Sequence, residues 1–129
     1  YEKLRKVTTS SAKAKGRKLQ QHVRDLILDK FKTLEYDDVV STSMGAGGED
    51  VKLSPAARKL LPISIECKNN KKMAIYNYYK QAVENAKDYE PVLVIKQDRD
   101  KVLAVMELEH YLEILYELQE KKSNSKSVK

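Results

Sequence analysis

Between residues 63 and 68, Ile63, Ile65 and Cys67 alternate with Ser64, Glu66 and Lys68. That period of two suits an extended strand and no helix. Residues two apart on a strand face the same side. Ile63, Ile65 and Cys67 are thus directed into a core, and Glu66 and Lys68 project together from the other face. A second run, 92–96, is continuously apolar and rich in β-branched residues, as expected of a buried strand.

The rest of the chain alternates with these runs. Leu19, Val23, Leu26, Ile27, Phe31 and Leu34 form one apolar stripe at helical spacing and predict a helix over 11–34, with Ser10 or Ser11 as its N-cap. Val39 and Val40 mark a β-prone stretch over 38–43, and a strand is expected over 50–53. Ser54 and Pro55 read as an N-cap followed by proline at the first helical position, opening a short helix over 56–61 that Pro62 stops. A helix over 76–87 is expected to carry Tyr76, Tyr79, Val83 and Ala86 on one side, with Tyr76 and Tyr79 in a core or an interface. A returning strand is expected over 102–106. A last helix over 107–121 should bury Leu108, Tyr111, Leu112, Leu115 and Leu118. This order implies an α/β domain, a mixed central sheet flanked by helices.

At 129 residues the chain fits one domain with a real core. Its 25 Lys and Arg against 19 Asp and Glu give a net charge of +6, which favours a polyanionic partner. Much of the excess sits at the ends, so 1–10 and 121–129 read as flexible basic tails able to add contacts to a phosphate backbone. The single cysteine, Cys67, excludes an internal disulfide and a Cys/His metal set, and reads as a small core residue in an intracellular protein. No apolar run approaches the roughly 20 residues of a membrane span, and no apolar stretch follows the basic N-terminus as in a secretory signal.

The chemistry-bearing residues lie together. Asp50 follows the glycine-rich run Gly45, Ala46, Gly47, Gly48 and should enter the sheet beside Glu66 and Lys68. Two carboxylates can hold a hard cation through oxygen, and a neighbouring ammonium can stabilise charge on a phosphate under attack. The alternative readings are ordinary ones: a solvated turn acid at Asp50, and a surface ion pair of Glu66 with Lys68. His22 reads as a surface histidine. Tyr78 reads as the exposed tyrosine, free to stack on a base. Arg58 and Lys59, and Lys71 and Lys72, flank the trio in sequence and could contact phosphates.

The order helix, glycine-rich turn, Asp50, then Glu66-x-Lys68, then helix resembles the PD-(D/E)XK nuclease superfamily, and within it the archaeal-type Holliday junction resolvases and their phage and viral relatives. The likeness spans about 16–106. Gly16 opens helix one as in those resolvases; Ser43, the glycines and Asp50 look like their serine, turn and catalytic aspartate; Gln81 and Glu84 fall in the segment after the catalytic strand. Glu49 stands where the family name has proline, and Gln20 where those resolvases carry a helix-one glutamate. The resemblance implies a restriction-endonuclease-like core and a metal-dependent endonuclease acting on DNA, most like a resolvase of four-way junctions, leaving 5′-phosphate and 3′-hydroxyl ends. It implies Mg²⁺, with Mn²⁺ able to substitute, held by Asp50, Glu66 and the Cys67 carbonyl. Lys68 and Gln20 would complete the catalytic set. Ser43, Gly45, Gly47, Gly48, Arg17, Lys71, Lys72 and Gln81 would bind DNA. Two symmetric incisions imply a homodimer. A nuclease for other DNA shapes, and a catalytically silent DNA-binding module of the same fold, are the competing readings.

Overall fold

The computed structural model describes the backbone of residues 2–42 and 48–128, and the side chains of 11–42 and 48–125. Helix α1 (Glu2–Lys30) leads through a 3-10 turn (Tyr36–Asp38) into β1 (Val39–Ser41) and β2 (Val51–Leu53). Helix α2 (Pro55–Leu60) precedes β3 (Ile63–Asn69). Helix α3 (Ile75–Ala86), β4 (Glu90–Lys96), β5 (Leu103–Val105) and α4 (Leu108–Val128) complete the chain. Helix α1 therefore starts well upstream of Ser10 and Ser11, which lie inside it rather than at its N-terminus, and the stretches read as tails are helical over 2–10 and 121–128.

The five strands form one sheet in sequence order, β1-β2-β3-β4-β5. Pairing is antiparallel except for β3 with β4, which run parallel with Ile65 beside Val92 and Glu66 beside Leu93. A parallel pair needs a long crossover, and α3 supplies it. The sheet is thus mixed and flanked by helices.

Each face has its own packing. Leu19 and Val23 of α1 pack with Val39, Val51, Leu53, Ile65, Cys67, Val92 and Val94 in one buried cluster. The alternate residues Glu66, Leu93 and Ile95 face α3, whose buried residues are Ala82 and Ala86. Ile65, Leu93, Val39 and Val51 are the largest side chains fully removed from solvent, each worth roughly 1.5–3 kcal/mol of burial. Phe31 and Ile27 pack partly against the cluster, while Leu26 points outward.

Two expected stripes are placed differently: that of α3 is split, with Ala86 buried and Tyr79 half-buried, and that of α4 lies outside. Tyr76 is 85 % exposed and Val83 about half exposed, because α3 approaches the sheet on its small residues, Ala82 and Ala86, and carries the bulky ones outside. Leu108, Tyr111, Leu112, Leu115 and Leu118 are all exposed. By α4 both faces of the sheet are already covered by α1 and α3, so this helix finds no core to enter.

Candidate active site

Two local features bring Asp50 into place. Gly48 has φ +89°, a backbone conformation suited to glycine, and turns the chain toward β2. Asp50 then joins the sheet: its N–H donates to the Ile65 carbonyl at 2.9 Å, and its own carbonyl accepts from Thr42 N–H at 3.0 Å. Val51 lies opposite Ile65 and enters the core. Asp50, one residue earlier, therefore points to the α3 face, beside Glu66.

The two acids interact directly. Asp50 Oδ2 accepts from the Cys67 backbone N–H at 2.7 Å. Glu66 is only 7 % exposed, and its Oε2 accepts from Asn85 Nδ2 of α3 at 3.1 Å. Burial raises the pKa of both acids above the ordinary carboxylate range, and the Asp50 charge raises Glu66 further. The two carboxyl groups stand close enough to act on each other's ionisation. Lys68, two positions along the same strand face, draws both acids back toward ionisation. Its ammonium sits 5.2 Å from the centre of the Tyr78 ring. Tyr78 is itself anchored: its hydroxyl accepts from Asn70 Nδ2 at 2.7 Å and donates to the Lys72 carbonyl at 3.2 Å. The ring expected to be free for stacking is thus half-buried and lies under Lys68.

Cys67 occupies the opposite face, in the core. Burial, then the nearby charges of Asp50 and Glu66, push its thiol far above the usual range, so it carries no thiolate chemistry. Its backbone has a different role. The N–H and C=O of one strand residue leave on the same side, so the Cys67 carbonyl is directed to the edge where its amide meets Asp50. Two mutually repelling carboxylates with a carbonyl on the same side make an oxygen donor set suited to a hard divalent cation. Among the described residues no cluster of three or more His, Cys, Asp or Glu side chains could hold a metal. Backbone oxygen and water are donors that could complete such a set.

Gln20 is engaged with β1. It is buried on α1, and its Oε1 accepts from Ser41 Oγ at 2.8 Å. Ser41 pairs with Val51 and shares its face, so Gln20 lies under the α1 side of the sheet. Gln81 is exposed on α3, and Asn85, one turn later, is the residue that reaches Glu66. Ser43, Gly45 and Gly47 lie outside the described residues. Arg17, Lys71 and Lys72 are at the surface, as is Gly48. Arg58, read as a phosphate contact, is turned inward. It donates to Glu49 Oε1 and to the Ile63 carbonyl and stacks 4.1 Å from the Tyr89 ring centre.

Asn85 escaped the sequence reading, although its spacing of three and seven residues from Ala82 and Tyr78 puts all three on one side of α3. Also unforeseen is a groove of about 340 Å³ lined by Lys15, Lys18, His22, Asn69 and Lys96, on the α1 side of the sheet, the face opposite Lys68. Lys15 is engaged there with Asp98 at 2.8 Å. No helix among the described residues is long and apolar enough to cross a membrane. Compared with protein-family models, curated proteins and solved structures, the chain matches none.

Proposed function

We propose that this chain is a metal-dependent DNA endonuclease of the PD-(D/E)XK type, with four-way junctions as its substrate. The observation that carries the reading is the convergence of Asp50, Glu66 and Lys68 on one face of adjacent strands, with both acids held above their ordinary range. Such a pair costs stability unless something positive joins it. The order of α1, β1 to β3, α3 and β4 also supports a restriction-endonuclease-like core.

Asp50, Glu66 and the Cys67 carbonyl would hold Mg²⁺ or Mn²⁺. A divalent ion bound there supplies Lewis-acid polarisation of the phosphate and a more acidic water. Asn85 fixes the Glu66 carboxylate, and the Cys67 amide fixes that of Asp50. Lys68, steadied over Tyr78, places a positive charge where the phosphate gains negative charge. Lys71 and Lys72, exposed just beyond β3, would contact the backbone and provide affinity without base readout.

The test is cleavage of a synthetic four-way junction, a flap, a linear duplex and a single strand with Mg²⁺ and with Mn²⁺. Junction cutting that Lys68→Ala abolishes, with binding within a few-fold of the parent, supports the reading. The lack of a third acidic side chain at the pair, among the described residues, favours a second one, a silent DNA-binding module. Binding without cutting under either metal would establish that alternative.

A further inference from the structure

We propose that α4 pairs with α4 of a second copy of this chain, antiparallel, about a two-fold axis beside Ile114. This inference does not depend on the nuclease reading. Helix α4 is a long helix whose apolar stripe faces solvent. Leu108 is 69 % exposed, Leu112 52 % and Leu118 48 %, with Tyr111, Ile114 and Leu115 similarly uncovered. The helix is held at its root, where Tyr79 Oη donates to Glu107 Oε2 at 3.3 Å and His110 stands 3.9 Å from Glu90.

Its charge is split along its length. Glu109, Glu113, Glu117 and Glu120 occupy the first part, and Lys121, Lys122 and Lys126 follow. Leu108, Tyr111, Leu115 and Leu118 recur at the alternating three and four spacing of a coiled-coil seam. In an antiparallel pair, Leu108 meets the partner's Leu118 and Tyr111 meets the partner's Leu115. The same register sets Ile114 against its own copy and Leu112 near its own copy on the other flank. It also brings Glu107 beside the partner's Lys121 at both ends. Parallel pairing would stack Lys122 on Lys122 and lay Glu107 against Leu112, so the charge pattern selects the antiparallel form. The apolar part from Leu108 to Leu118 spans about 15 Å of helix, short enough to make a reversible dimer.

Sedimentation velocity on the full chain, from low to high micromolar, should show a monomer–dimer equilibrium. Glu107→Lys should weaken the dimer roughly tenfold, counting two symmetric pairs, and adding Lys121→Glu should restore it. Under mild oxidation Ile114→Cys should give a disulfide-linked dimer, while Leu118→Cys should not, because antiparallel copies hold those positions about 15 Å apart along the axis. Both positions are exposed, so circular dichroism should report an unchanged fold. A wild-type chain that stays monomeric throughout, or preferential cross-linking of Leu118→Cys, would overturn the proposal.

Discussion

The two acids set a stability cost that can be measured apart from any activity. Both pKa values are raised in the folded state, by burial first and for Glu66 also by the Asp50 charge. The folded chain therefore binds protons more tightly than the unfolded chain, and the pair's contribution falls as pH rises from the ordinary carboxylate range of about 4 through the raised folded values. At neutral pH, Asp50→Asn should raise the melting temperature by a few degrees, since the amide oxygen can still accept from Cys67 N–H. Glu66→Gln should act likewise. The gain should shrink as pH is lowered to about 4, and Mg²⁺ should stabilise the parent more than either variant. Thermal melts across pH, with and without Mg²⁺, check both points. Gln20 is expected to behave differently: Gln20→Ala leaves Ser41 Oγ without its acceptor and should cost about 1–3 kcal/mol in urea unfolding. Cleavage per folded molecule should change little. The grouping of Asp50, Glu66 and Lys68 was readable because strand alternation is a local rule. The setting of Gln20 was not, because it depends on which side of the sheet α1 covers.

At the scale of elements, the bounds of α2 and the buried stripe of α1 were readable, whereas the start of α1 and the rotations of α3 and α4 were not. Ser54 caps α2 as its sequence indicated, accepting from Ala57 N–H at 3.1 Å and donating to Asp38 Oδ1 at 2.6 Å. Pro55 at the start and Pro62 beyond the end bound that helix. The C-cap of α3 carries a cost instead. Lys87 has φ +53° and ψ −113°, a region that side chains with a Cβ avoid. Lys87→Gly should raise stability by roughly 1 kcal/mol in chemical denaturation, with α3 unchanged by circular dichroism. On α3 the expected side was right for Ala86 and wrong for Tyr76 and Val83, because Tyr76, Tyr79 and Val83 form the more apolar stripe. Close approach to Leu93 and Glu66 instead selected Ala82 and Ala86, and that choice brought Asn85 to the site.

Across the whole molecule, positive charge gathers into a surface. Lys18 and Lys96 line the groove beside β3, with Lys71 on the adjoining loop side. If DNA follows this groove, Lys18→Ala with Lys96→Ala should lower affinity and flatten the slope of log affinity against log salt by about 1.8, at about 0.9 for each phosphate no longer neutralised. Filter binding or fluorescence anisotropy over a salt series measures both. An equal weakening on all sequences of one DNA shape is expected, because phosphate contacts carry no sequence information.

The order of helices and strands, the cap of α2, the buried strands and the adjacency of two acids and a lysine follow from the sequence itself, since periodicity and turn chemistry act over a few residues. Tertiary structure decided the rest. It buried Glu66 against α3, bonded Arg58 to Glu49, turned Gln20 to the opposite side of the sheet and left α4 outside. Each of those outcomes depends on which surfaces were still open when distant segments packed, and no short stretch of chain encodes that.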